Sequence, residues 1–476
     1  MEKRIFYNYT SILKNLVEYL PSRGLIILNS FFIVPFFTYA LNHKEVSIYL
    51  IAIQLLNLLC TASFDWISKS VLRFYEKYNI QNKLDRFLST VFWLSVFVYA
   101  LIAGIFIVFR EPITTKYALT NLIFGLTILL VIPCGVRQCL YQVLRLKNRY
   151  SLYTASIIFY QLLFIAGFAG LVNLIPNASA IIISMGLSIM AIDLYIIRSI
   201  NEIFPIKKIF DFEICKEILE YSIPLIITNL LYYAALYMPN FIFQASGEYL
   251  KTSIFGIAFI LVSNTIQPLA GLFTFINYPV VFKEWEHKNN IKRYLTNSIQ
   301  LYFCLLLPII LAFCFYSKEI VNLFLPNEYA FAAILMPYFA FKIFLHELLK
   351  LITIKYHLHQ ITYVETAISF IIVCLSVVCF MQLYNNPSLL YAAIVVLGTE
   401  VALVFAHICI KVKETKFITY SRVFKTIAFV LLINILTYLS IELILNSTQF
   451  MSFFKIIIFI MLSYTLSWRF RKRILT

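Results

Sequence analysis

The chain has 476 residues, of which 61% are apolar and only 13% charged. The apolar residues gather into runs near the ~20 needed to cross a bilayer, which excludes a soluble globular domain. The formal charge is +16, from 39 Lys and Arg against 23 Asp and Glu. Those cations alternate between loops instead of clustering in one domain, so no nucleic-acid partner is expected.

In chain order, about fourteen runs meet the length criterion for a span. They are Gly24 to Leu41, Val46 to Trp66, Phe87 to Phe109, Tyr117 to Val136, Leu152 to Leu174, Ala178 to Ile197, Tyr221 to Phe243, Ser253 to Val281, Tyr294 to Tyr316, Ala330 to Leu349, Ile361 to Leu383, Ser388 to Ile410, Val423 to Leu445 and Phe453 to Trp468. Backbone groups in hydrocarbon must bond within their own segment, so these runs are helices. They lack the dyad alternation of an outer-membrane barrel, whose strands are about half as long. The fold class expected is an all-α polytopic membrane protein of about fourteen transmembrane helices.

Lys14-Asn15-Leu16-Val17-Glu18-Tyr19-Leu20-Pro21 returns as Lys216-Glu217-Ile218-Leu219-Glu220-Tyr221-Ser222-Ile223-Pro224. Ser47 to Ala52 returns as Ser253 to Ala258, and Pro133 with Arg137 and Lys147 is echoed by Pro337 with Lys342 and Lys355. All are displaced by roughly 200 residues, a period of lobes and not of solenoid repeats. Six spans per copy make the copies parallel, related by a pseudo-twofold axis along the membrane normal. The expected domains are an N-lobe (1–200, spans one to six), a C-lobe (201–415, spans seven to twelve) and a C-terminal helix pair (416–476). The stretches before each lobe, Ile5 to Leu20 and Phe210 to Tyr221, read as amphipathic interfacial elbows.

With the N-terminus inside, roughly 32 of the 39 Lys and Arg fall on the cytoplasmic side. A bacterial inner-membrane location with both termini cytoplasmic follows, and the bilayer is the first partner. The arm with Lys3 and Arg4 has no small-residue cleavage site after it, so the first helix is expected to stay. Nine cysteines, most of them within spans, show no C-x-x-C pattern and read as small apolar side chains. Asn446-Ser447-Thr448 matches a glycosylation sequon of little weight. No phosphate loop, catalytic triad or metal cluster stands out; neither enzyme activity nor a cofactor or metal is expected.

Charges at membrane depth cost about 2.5–3.5 kcal/mol each on insertion scales and mark function by default. Lys342 lies about twelve residues into the tenth span, roughly 18 Å along a helix, with His346 one turn on and on the same face. Lys350 extends that face, and the neighbouring Glu347 offers a purely structural pairing for Lys342. Arg137 is the first copy's counterpart of Lys342, either a cavity cation or solvated near the inner surface. Arg23 either snorkels to the headgroups or lines a cavity. Among the acids, Glu400 sits near the middle of its span as an ion-coupling group or partner of Lys342. Asp193 and Glu365 lie nearer span ends. Asp65, Lys69 and Arg73, spaced by four, read as a structural network.

The chain resembles the polysaccharide exporters of the multidrug, oligosaccharidyl-lipid and polysaccharide transporter superfamily, the Wzx-type repeat-unit flippases. The residues that carry the resemblance are Tyr221-Ser222-Ile223-Pro224, Ser253 to Ala258, Tyr278-Pro279, Leu325-Pro326-Asn327-Glu328-Tyr329 leading into Pro337, and Arg145 to Tyr150. Ser222 replaces a common glycine. The resemblance implies two six-helix lobes about a central cavity and two added helices. It also implies movement of an undecaprenyl-diphosphate-linked oligosaccharide, for O-antigen, capsule or lipopolysaccharide, to the outer leaflet. Lys342, Arg137, Arg23 and His346 would then meet the diphosphate, with Glu400, Glu347, Glu365 or Asp193 as coupling or partner acids. A polysaccharide polymerase and chain-length proteins are the partners it suggests. The alternatives are a lipid-linked peptidoglycan precursor flippase and a drug or cation exporter of the same superfamily. For the exporter, twelve spans and a more acidic cavity are expected.

Overall fold

The computed structural model describes residues 9–146, 149–199, 210–286, 291–359, 361–410, 420–444 and 449–469. The N-terminal arm with Lys3 and Arg4, Lys147, the cationic stretch with Lys411, Lys413 and Lys416, the Asn446 sequon and the tail with Arg471, Lys472 and Arg473 lie outside the described residues. Among the described residues seventeen α-helices follow in order: α1 (Tyr9–Ala40), α2 (His43–Cys60), α3 (Trp66–Ile80), α4 (Leu84–Val108), α5 (Arg110–Lys116), α6 (Asn121–Leu146), α7 (Tyr150–Val172), α8 (Ala178–Ser199) and α9 (Phe212–Ala245). They continue with α10 (Tyr249–Glu286), α11 (Lys292–Phe315), α12 (Ser317–Phe324), α13 (Ala332–Leu358), α14 (Thr362–Phe380), α15 (Leu389–Cys409), α16 (Tyr420–Ile444) and α17 (Gln449–Arg469).

Thirteen spans among the described residues are long and apolar enough to cross a membrane. The fourteenth expected span falls on α17, whose apolar stretch Lys455–Leu466 is shorter. The chain is therefore an all-helical multi-pass membrane protein.

Two expectations about element boundaries change. A π-helical turn at Thr61–Asp65 joins α2 to α3, so the second span runs without a break from His43 to Tyr75, and α3 continues beyond it to Ile80. The leader at Phe212 is not a separate elbow, because α9 is one helix of 34 residues capped by the Asp211 carboxylate on the Glu213 and Ile214 amides. Pro224 lies inside it. Proline has no N–H for the Glu220 carbonyl one turn back, a single lost ladder bond that a packed helix tolerates. The Thr228 and Thr366 hydroxyls, 2.8 Å apart, both reach the Pro224 carbonyl and tie α14 to α9. The leader is also held sideways: Lys77 and Tyr78 of α3 both bond the Glu217 carboxylate. Burial and that carboxylate push the Tyr78 phenol above its ordinary pKa. The leader pair Lys216–Glu220, at 3.9 Å and highly exposed, contributes little.

The turn between α9 and α10 needs a glycine. Gly247 has φ +75°, its amide bonds the Gln244 carbonyl, and the Glu248 amide bonds the Phe243 carbonyl. That is a Schellman C-cap, in which a left-handed residue satisfies the last free carbonyls.

Packing groups the chain into two units that do not follow chain order. The first holds residues 1–39, 254–361 and 388–476; the second holds 40–253 and 362–387. In the first unit α13 is buried on nearly all sides and packs on α15, α11 and α12, and α11 also meets the α16–α17 hairpin. Lys455 closes that hairpin on Glu442 at 3.1 Å. In the second unit α6, α7 and α8 pack mutually, and α9 packs with α14 and α3. The boundaries of these units differ from those expected for the N-lobe, the C-lobe and the C-terminal helix pair.

Candidate functional site

In the first unit, α15 buries a stripe of Leu389, Ala392, Ala393, Val396, Thr399, Glu400, Leu403, Val404 and His407. These recur at helical spacing, so Glu400 stands on the apolar seam that α15 turns to its neighbours. Facing it on α13, Lys342 and His346 are separated by one turn and share a face. Lys342 Nζ lies 3.6 Å from Glu400 Oε2, and His346 Nδ1 lies 3.0 Å from Oε1. A carboxylate only accepts, which puts a proton on Nδ1 of the imidazole. Lys342 is 6% and Glu400 3% exposed.

Glu347 is not the partner of Lys342; its Oε1 accepts from Lys350 at 2.6 Å, one turn on along α13. The α13–α15 register is fixed at the helix ends. Lys355 donates to the His407 carbonyl at 2.6 Å and the Ile410 carbonyl at 2.7 Å, a buried ammonium on the negative end of α15. Tyr356 Oη sits 3.1 Å from His407 Nδ1. Tyr302 Oη donates to the Phe344 carbonyl at 2.6 Å, bracing the turn that carries Lys342 and His346.

The second unit has its own charged group. On α8 the buried stripe Ile181, Met185, Ile189, Ile192, Asp193 and Ile196 includes an acid. Gly186 on α8 lies so close to α6 that a Cβ there would stand 2.6 Å from Leu130 Cδ2. About two turns further along both helices are Asp193 and Arg137, and the two charges act on each other. The Arg137 guanidinium is stacked on the Tyr160 ring of α7, 4.6 Å from its centroid. Asp193 is 5% exposed, and neither of its carboxylate oxygens has a hydrogen-bond partner.

The sequence-expected residues therefore fall into several places. Lys342, His346 and Glu400 form one cluster with the Lys350–Glu347 pair beside it. Arg137 and Asp193 form a second group in the other unit. Arg23 is partly buried on α1 in the first unit. Glu365 is buried in the first turn of α14, where a helix N-terminus favours an acid, and its charge reaches Tyr221. Of the Asp65–Lys69–Arg73 row, Asp65 accepts from Thr61 at 2.8 Å and Lys69 donates to Asn229 at 3.1 Å. Sequence reasoning missed Tyr160 as the seat of Arg137. In a chain that is 17% aromatic, one more tyrosine carries no signal. Among the described residues no group of three metal-binding side chains converges.

Fold and composition together define an all-helical multi-pass membrane protein with charged groups buried in its spans. Lipid II flippase MurJ in an inward closed conformation superposes with a TM-score of 0.64 at 16% identity, covering 97% of this chain and 100% of that one. A multidrug resistance MATE family transporter of the MOP superfamily gives 0.62 at 12% identity in its outward-facing form, over 83% of this chain and 93% of that one. An inward-facing form gives 0.58 at 13%, with the same shares. At these identities the likeness is one of fold. No curated protein matches the chain significantly in sequence. A family profile described as polysaccharide biosynthesis protein matches residues 77–334, and the chain belongs to that family. Arg137 and Asp193 lie within the matched stretch; Lys342, His346 and Glu400 lie beyond it.

Proposed function

We propose that the chain is a flippase that moves undecaprenyl-diphosphate-linked oligosaccharide repeat units across the bacterial inner membrane by alternating access, feeding O-antigen, capsule or a related polysaccharide. The family match carries this reading, because it joins polysaccharide biosynthesis to a fold that a lipid-linked precursor flippase also has. The chemistry agrees. A diphosphate headgroup leaving water needs a cation already held in the membrane, and Lys342 is such a group, with the His346 imidazole beside it as a further hydrogen-bond donor. Their bond to Glu400 keeps them paired until an anion arrives, and Glu400, with Glu347, Glu365 and Asp193, supplies acids for ion coupling. Arg23 and Arg137 are further cations for the headgroup. Both termini face the cytoplasm in this reading, which puts the large majority of Lys and Arg there. Polymerase and chain-length proteins would receive the product.

In a flippase-null strain the wild-type chain restores surface polysaccharide, while Lys342→Ala and Arg23→Ala, present at normal levels, do not. Restoration by both variants removes these residues from the assignment. A second reading is a lipid-linked peptidoglycan precursor flippase, favoured by the full-length superposition on MurJ. Rescue of a strain depleted of that activity, without rescue of surface polysaccharide, selects it. A drug exporter is disfavoured, since the MATE folds cover 83% of the chain.

A further inference from the structure

The acids of the two charged groups differ in what holds them. Glu400 has one oxygen on His346 and the other near Lys342. Asp193 is as deeply buried, yet both of its oxygens lack a hydrogen-bond donor. An ionised carboxylate there would leave about four acceptor directions empty in a low-dielectric interior, a state that buried acids avoid by taking a proton or a cation.

The surroundings decide between those two. From α6, Arg137, Cys134 and Tyr141 act on Asp193 or feel its charge. From α7 come Tyr160, under the Arg137 guanidinium, and Tyr153, edge-on to Tyr141 at 5.0 Å. α2, which also packs on α8, brings Tyr49 within reach of Tyr160. On α8 itself, Arg198 follows, exposed, near the helix end. Arg137 is the formal charge in this group, and it is positive. A metal cation would be repelled by it and would find few oxygen ligands. A proton neutralises the carboxylate without adding charge beside the guanidinium.

The position is built by the fold. Gly186 against Leu130 sets the close approach of α8 to α6, and Arg137 and Asp193 follow on the same faces. Arg137 and Asp193 are displaced from Lys342 and Glu400 by roughly the 200-residue period of the duplication, so the pair is one half of a repeated design. In the C-terminal copy the acid is held by Lys342 and His346. In the N-terminal copy the cation rests on an aromatic ring and the acid stands alone.

We propose that Asp193 is a proton-exchange site. In the conformation described here its carboxyl holds a proton. When the O–H bond breaks and the proton passes to water, Arg137 leaves the Tyr160 ring and neutralises the carboxylate. No co-reactant is required. The inference rests on the transport reading only in giving the exchange a use, as the step that couples movement of a substrate to a proton gradient. The site itself is measured without substrate.

The test is infrared spectroscopy of the purified protein in lipid nanodiscs, titrated with pH. Wild type shows a carbonyl band of a protonated carboxyl group that disappears as pH rises. Asp193→Asn, which matches the neutral acid in shape, lacks that band, and Glu400→Gln keeps it. In Arg137→Gln the band persists to higher pH by about one unit, because the cation that favours ionisation is gone. A band that survives in Asp193→Asn, that does not titrate, or that ignores Arg137→Gln overturns the proposal. So does its loss on adding sodium at fixed pH, which makes the site one for a metal cation. Surface polysaccharide plays no part in the readout, so a wrong transport assignment leaves this result standing.

Discussion

The cluster on α13 and α15 and the pair on α6 and α8 both bury an acid and a base within membrane helices but are built on opposite principles. Lys342, His346 and Glu400 hold one another, so each charge is neutralised by a neighbour within 3.6 Å. Arg137 and Asp193 lie in reach of each other, yet the guanidinium is seated on Tyr160 and the acid has no bonded partner. A self-paired cluster responds when an outside anion competes for its lysine. An unpaired buried acid responds to protons.

That contrast can be broken most forcefully by removing one member of the paired cluster. Lys342→Met leaves Glu400 with His346 alone and is expected to cost about 3 kcal/mol, with Lys342→Met/Glu400→Gln recovering most of the loss, as for other buried ion pairs. Thermal unfolding in detergent, followed by tryptophan fluorescence, reads both. Arg137→Leu comes next. It forfeits the guanidinium–ring contact, at about 1–2 kcal/mol, and Tyr160→Leu is expected to match the larger part of it in the same assay. His346→Gln should cost about 1 kcal/mol, the worth of one hydrogen bond, since Lys342 still holds Glu400. The smallest effect belongs to Asp193→Asn, expected within about 0.5 kcal/mol of wild type, because no hydrogen bond made by the acid is lost. If Asp193→Asn proved as costly as Lys342→Met, the two groups would be alike and the contrast would fail.

How much of this could be read from the chain follows from what each feature depends on. The spans were legible because length and hydropathy are local properties. The shared face of Lys342 and His346 was legible too, since a four-residue spacing settles it on any helix. Choosing Glu400 over Glu347 as the lysine's partner required knowing that α15 turns its Glu400 stripe toward α13, which is a packing fact. The burial of Asp193 was hidden because it lies only about two turns from its helix end, where a solvated acid is the ordinary expectation. Continuity at Thr61–Asp65 and through Pro224 was hidden for another reason. A π-helical turn has no reliable residue code, and proline reads as a break although it costs only one ladder bond and α9 is held there by its packing on α14. The grouping of α9 and α14 with the first repeat depends on contacts such as these, far apart in the chain.

The proposed service of the buried Lys342 to a lipid-linked anionic substrate is open to test with the folded neutral variant. Lys342→Met/Glu400→Gln, brought to wild-type levels in a flippase-null strain, is predicted to leave the cells without surface polysaccharide although the protein is folded and in the membrane. Full restoration of surface polysaccharide by that variant would contradict the account.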